Sequence, residues 1–216
     1  MSQNLYKIAE KIQDVLAQNN TCRIGLSGGS SPRDVYKQLG RQRLPWDRIE
    51  LILIDERHVP PNDEKSNFYM LRDVLLSDIQ IPPTNIFVFN TFLPLEESAK
   101  DMQQKIMKLQ QLRHPLFDIL ILGFGPDGHI ASLFPRSPAL DSRALVTTTQ
   151  TPENSAFPIK NRLTLTYQAL LDTEEVFIIA PTDDKKKILA RAQEPGADFH
   201  EIPLTKIVQE LKCEVL

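Results

Sequence analysis

Three uninterrupted apolar runs limit what this chain can become: LILI at 51–54, ILIL at 119–122 and VFII at 176–179. None of them keeps a polar face for solvent. A strand of this kind must be covered on both sides, which is the condition of a parallel sheet between two helical layers. The segments between them carry helical spacing. Residues 2–18 place Leu5, Ile8, Ala9, Ile12, Val15 and Leu16 on one face, and residues 95–112 do the same with Leu95, Ala99, Met102, Ile106 and Leu109. Further helices are expected over 32–40, with Pro32 in the first turn and Gly40 at the end, over 66–76 with Ser66 or Asn67 as cap, over 183–192 and over 204–211. Further strands are expected at 22–26, 85–89, 144–149 and 162–166, and the strands around the apolar runs span 50–55, 117–122 and 174–180. The expected fold class is α/β, a three-layer Rossmann-like, mostly parallel sheet with helices on both faces. No repeat, low-complexity tract or linker interrupts the 216 residues, so residues 1–216 read as a single domain.

The formal net charge of −3 gives no basis for nucleic acid or an anionic membrane as partner, although a few local cations can still bind a small anion. Cys22 and Cys213 stand near opposite ends and form neither a CxxC pair nor a zinc spacing, so reduced structural thiols and a cytoplasmic location are expected. No apolar run approaches the roughly 20 residues of a membrane span. The opening MSQNLYKIAEKIQDVL lacks the apolar core of a signal peptide.

In an open α/β sheet, ligands bind beyond the carboxyl ends of the strands. The segments leaving those ends are SGGSSP (27–32), DERHVP (55–60), GFGPDGH (123–129) and APTDDK (180–185). SGGSSP offers Gly28 and Gly29 for close backbone approach, hydroxyls on Ser27, Ser30 and Ser31, and a helix N-terminus, a combination that can hold a phosphate. It also reads as a tight turn with a serine cap. It lacks the Lys of a P-loop and is not GxGxxG, which disfavours a nucleotide. DERHVP is either a solvated strand end or a site in which Arg57 meets a phosphate or developing oxyanion; His58 is a weaker candidate base.

GFGPDGH packs three glycines around Asp127 and His129. One reading is a Gly/Pro turn with an incidental histidine. The other is a turn that presents an imidazole as general base, with a carboxylate two residues earlier to orient it, a water or a hydroxyl. The following IASLF is expected to open a short helix whose N–H groups face the same mouth. No cysteine or second histidine lies near for a metal, and no GxSxG elbow supplies a nucleophile. Arg162 in RLTLT, and Lys185 at the start of a lysine run, stand close to strand ends and can turn inward; a lysine run is otherwise a solvated helix face.

The set LSGGSSP, DERHVP…SNFYMLR, GFGPDGHIASLFP and RLTLT, in this order, closely resembles the 6-phosphogluconolactonases, within the wider group of glucosamine-6-phosphate deaminases and ribose-5-phosphate isomerases. The resemblance runs from the first helix to the lysine helix. It implies hydrolysis of 6-phospho-D-glucono-1,5-lactone to 6-phosphogluconate, the second step of the oxidative pentose phosphate pathway. It implies no metal and no cofactor, a sugar-phosphate lactone as the one small-molecule partner, and a monomer. Carried over by motif, His129 activates water and Asp127 positions it or the sugar. Ser27, Gly28, Gly29 and Ser30 take the phosphate, Asp55 contacts substrate, and Arg57, Arg162 and Lys185 supply positive charge, divided between phosphate and carbonyl oxygen in a way the resemblance leaves open. Thr182 stands where the family often has glycine three residues before its lysine, which puts the Lys185 contact in question, and Lys186 and Lys187 blur the register. Two other readings are a deaminase-like sugar-phosphate isomerase and a non-catalytic sugar-phosphate-binding regulator. Deaminases resemble this chain at DGHIA but continue with an Asn-Glu-Pro stretch, whereas Ser132, Leu133, Phe134 and Pro135 follow here. A regulator would have no need of His129.

Overall fold

The computed structural model describes residues 2–153 and 158–216, with side chains from residue 6 onward, so the expected place of Leu5 on its helix face lies outside the described residues. The main sheet is built from β1 (Cys22–Leu26), β2 (Ile49–Leu53), β4 (Ile86–Phe87), β5 (Phe117–Leu122), β8 (Thr173–Ile178) and β9 (Cys213–Val215), in the order β4-β2-β1-β5-β8-β9. Every pairing in it is parallel. A second, antiparallel sheet orders β3 (Asp55–Arg57), β7 (Asn161–Leu165) and β6 (Val146–Gln150).

Side chains alternate along each strand and so divide the core in two. Leu51, Leu53, Ile119, Ile121, Phe177 and Ile179 pack with Ile8, Ile12, Leu39 and Leu71 of helices α1 (Ser2–Gln18), α2 (Arg33–Gly40) and α3 (Asn67–Val74). Ile52, Ile54, Leu120, Leu122, Val176 and Ile178 point the other way. They meet Met102, Ile106, Leu170, Leu189 and Ile207 of α4 (Leu95–Leu112), α5 (Tyr167–Leu170), α6 (Asp183–Gln193) and α7 (Leu204–Glu210). The three-layer expectation holds on this alternation. Among the described residues no helix is long and apolar enough to cross a membrane, and both cysteines are free.

Four local expectations change. The run 50–55 is not one strand. Ile54 donates its N–H to Leu26 O of the main sheet and accepts from Leu165 N of the small one, so the chain changes sheets there. DER, expected at the end of that strand, is therefore a separate strand, β3. The strand expected over 85–89 pairs only at Ile86–Phe87. IASLF opens no helix: Ala131 has φ 47°, and Ile130 bridges both Phe124 and Leu133 in a tight reversal. Pro32 sits at the N-cap of α2, one residue before the first turn, and no side chain caps that helix.

Candidate active site

The strand order reverses between β1 and β5, where the chain runs outward in one direction through β2 and β4 and later in the other through β8 and β9. That reversal opens a crevice at the carboxyl ends of the two strands. A cleft of about 240 Å³ occupies it. Ser27, Gly28, Gly29 and Ser30 line it from the turn after β1, and Asp55, Arg57 and Arg162 from the small sheet. His129 lines it from the turn after β5, and Lys185 from α6. Asp127 stands behind His129, bonded to its ring.

The serine–glycine turn is held from beneath. Ser27 Oγ accepts from Gly123 N–H at 2.8 Å, and the Ser27 carbonyl accepts from the buried Tyr36 hydroxyl at 2.8 Å. The Ser27 hydroxyl therefore ties β1 to β5. Gly28 has no room for a side chain: a Cβ there would lie 2.0 Å from Asn67 Cγ. Gly29 takes φ +86°, a conformation glycine adopts without strain.

His129 is oriented by its own turn. Its Nδ1 lies 2.5 Å from Asp127 Oδ1, and its backbone N–H donates to the same oxygen at 3.1 Å. In the neutral ring, an Nδ1–H donated to the carboxylate leaves Nε2 as the lone-pair nitrogen. Burial pushes the Asp127 carboxyl up, but the hydrogen bonds from the ring and N–H of His129, with the charge of the ring, outweigh it and hold the carboxyl below its ordinary value. Gly125 lies against the imidazole, where a Cβ would come within 2.1 Å of His129 Cε1. The Phe134 ring packs on the other wall, 4.8 Å between centroids.

The positive side of the cleft comes from strand register. Arg57 and Arg162 are directly paired across β3 and β7. Like charges so opposed destabilise a sheet unless an anion comes between them. Burial, then the neighbouring Arg57 charge, push the Arg162 guanidinium down to about 10 against the opposing pull of Asp55 and Glu56. Arg57 is anchored by Nη1 donating to Lys65 O at 2.6 Å, and its buried Nε has no hydrogen-bond partner among the described residues. Lys185 donates to Phe124 O and lies 4.5 Å above the Phe124 ring; burial lowers its pKa.

The question raised by Thr182 resolves in the backbone. Thr182 is the N-cap of α6, its hydroxyl accepts from Lys185 N–H, and its φ of −117° requires no glycine. Lys186 and Lys187 pair instead with Asp183 and Asp184 on the exposed face, which fixes Lys185 as the inward lysine.

Asn67 and Ser132 also line the cleft, and the sequence reading gave neither a place in the site. Asn67 Nδ2 donates to Asp55 Oδ1 at 3.1 Å, and Ser132 Oγ donates to Asp55 Oδ2 at 2.7 Å. His58 does not line the cleft; its Nε2 lies 2.9 Å from Leu93 O. Among the described residues no three His, Cys, Asp or Glu side chains converge to hold a metal ion.

The family model described as glucosamine-6-phosphate isomerases/6-phosphogluconolactonase matches residues 1–215. The chain is 35% identical to a 6-phosphogluconolactonase of Thermotoga maritima over 182 residues, 84% of this chain and 78% of that one. It is 36% identical to the 6-phosphogluconolactonase of Homo sapiens over 187 residues, 84% of this chain and 70% of that one. The crystal structure of 6-phosphogluconolactonase from Thermotoga maritima superposes with a TM-score of 0.84 and 31% identity, covering 98% of this chain and 92% of that one. The chain belongs to the glucosamine-6-phosphate isomerase/6-phosphogluconolactonase family.

Proposed function

We propose that this protein is a 6-phosphogluconolactonase that opens 6-phospho-D-glucono-1,5-lactone with His129 as general base. The observation that carries the proposal is the Asp127–His129 pair set in the wall of a cleft rich in cations and free of any second carboxylate at 132–135. Water between Nε2 and the lactone carbonyl gives its proton to the imidazole as its oxygen bonds to C1. The carbonyl electrons move to oxygen, and collapse of that oxyanion breaks the bond from C1 to the ring oxygen. The imidazolium returns its proton to the departing oxygen, and the new carboxylic acid ionises to 6-phosphogluconate. Asp127 stabilises the transient imidazolium.

The glycine–serine turn supplies backbone N–H groups and hydroxyls for the phosphate, and Asp55 accepts from sugar hydroxyls. Arg57, Arg162 and Lys185 divide the phosphate and the oxyanion among them. Anchoring the phosphate far from the carbonyl sets the register of attack. The isomerase–deaminase reading has less support. Position 132 is a serine that donates to Asp55 and position 134 packs on the imidazole, so neither offers the further acid that chemistry uses.

The test is an assay with freshly generated lactone, corrected for spontaneous opening, with glucosamine 6-phosphate as control substrate. His129→Ala is expected to lose at least about 100-fold in kcat while keeping its affinity for 6-phosphogluconate within a few-fold. Turnover near the wild-type rate in that variant sinks the catalytic assignment.

A further inference from the structure

We infer that Ser132 is a positioning residue for substrate recognition: it holds the Asp55 carboxylate in the orientation that accepts the sugar's hydroxyls. The inference rests on the lactonase reading above.

Asp55 is 5% exposed and still lines the cleft. A buried carboxylate needs donors, and each of its oxygens has one from a different segment. Ser132, 1% exposed, gives its only hydroxyl hydrogen to Oδ2 at 2.7 Å. Asn67, also 1% exposed, gives Nδ2 to Oδ1 at 3.1 Å and to the Asp55 carbonyl at 3.0 Å. Both donors are neutral, so they fix the group without cancelling its charge. Each carboxylate oxygen keeps lone-pair capacity for a further donor. A sugar hydroxyl can supply that donor; a phosphate dianion has no hydrogen to give.

Ser132 is itself fixed. Its N–H donates to Thr164 Oγ1 at 3.1 Å, and that hydroxyl donates to Leu165 O at 2.9 Å. The turn after β5 is thus bonded to the neighbour strand of β3. Through Ser132 the position of Asp55 is referred to the same turn that carries His129. Hydroxyl recognition and the base therefore share one frame, and the carbonyl's distance from His129 depends on where the hydroxyls are held. A serine at 132 serves this because it is small enough for the tight reversal at Ala131 and has one hydrogen to commit.

The decisive experiment is a double-mutant cycle on lactone hydrolysis with Ser132→Ala, Asp55→Asn and the double variant. It is read as kcat and KM separately, with melting curves as a fold control. Ser132→Ala is expected to raise KM about 10-fold with kcat within about 3-fold, and Asp55→Asn to lose about 100-fold in kcat/KM. The double variant is expected to match Asp55→Asn within about 3-fold, because Ser132 acts through Asp55. Losses that multiply in the double variant overturn the assignment, as does a Ser132→Ala variant that loses kcat alone. If Ser132→Ala does not fold, 2-deoxy, 3-deoxy and 4-deoxy lactones on the wild type decide. At least one is expected to fall about 10-fold or more in kcat/KM, and equal turnover of all three overturns the inference. A wild type without lactonase activity overturns the functional reading and this one with it; an active wild type with multiplicative variants overturns this one alone.

Discussion

Asp127 and His129 face one another because Gly128 between them takes φ +80°. A Cβ on Gly128 would also stand 2.6 Å from Ile202 Cγ2, so the turn is closed from outside as well. Asp127→Asn keeps the shape of the pair and removes its charge. An asparagine can offer Nδ2–H to the ring, which moves the imidazole proton to Nε2 and blocks the base. Its kcat is expected to fall about 10²–10⁴-fold with KM within a few-fold. The same pair predicts a stability profile. The folded carboxyl lies below its ordinary value. Its contribution is therefore present above the unfolded aspartate pKa of about 3.9 and is lost as pH falls through the folded value. Melting temperatures of wild type and Asp127→Asn between pH 6 and pH 2.5 are expected to converge as pH falls; a gap that widens with acid contradicts the assignment of the shift. This turn was legible in sequence because its parts are contiguous. Ser132 and Asn67 were not, because Asp55, their common partner, is 77 and 12 residues away and only the fold makes them neighbours.

Elements were legible where one strand or helix satisfies its own pattern. β1 and β5 span the residues expected, and so does α4. What periodicity could not reveal is pairing. Nothing in LILIDER marks Ile54 as the residue at which one sheet hands the chain to another, because the cause is a carbonyl at Leu26 and an N–H at Leu165. β9 is three residues at a sheet edge and α5 is four residues long, both too short for a periodic signal. The α6 cap is likewise a matter of pairing: Thr182, which stands where the family often has glycine, accepts the Lys185 N–H at the start of the helix. Thr182→Gly is expected to cost only a few tenths of a kcal/mol and to leave KM within about 2-fold, while Thr182→Ala loses about 1 kcal/mol in denaturant unfolding. A tenfold change in KM for the glycine variant would show that the backbone at 182 does govern Lys185.

At the scale of the molecule, the two apolar layers are opposite faces of the same strands. β5 sends Ile119 and Ile121 to one and Leu120 and Leu122 to the other. Neither layer can lose its sheet without exposing the other, so residues 1–216 are expected to unfold as one domain. Calorimetry is expected to give a single transition whose van't Hoff and calorimetric enthalpies agree; two resolved transitions contradict this. The parallel layer was legible because buried strands leave runs such as ILIL, whereas the strands at 146–150 and 161–165 carry no mark of their antiparallel pairing into a second sheet with β3. That small sheet sets how a charged molecule meets this protein. The chain as a whole carries a net charge of −3, so at a distance it offers an anion no attraction. Salt shortens every such field to about 8 Å at physiological ionic strength. The paired Arg57 and Arg162 are therefore felt only at the threshold of the cleft. A neutral solute arriving there leaves their mutual repulsion in place; an anion relieves it. Under the proposed function, the register of two short strands is what sorts phosphorylated from free sugars at the moment of encounter.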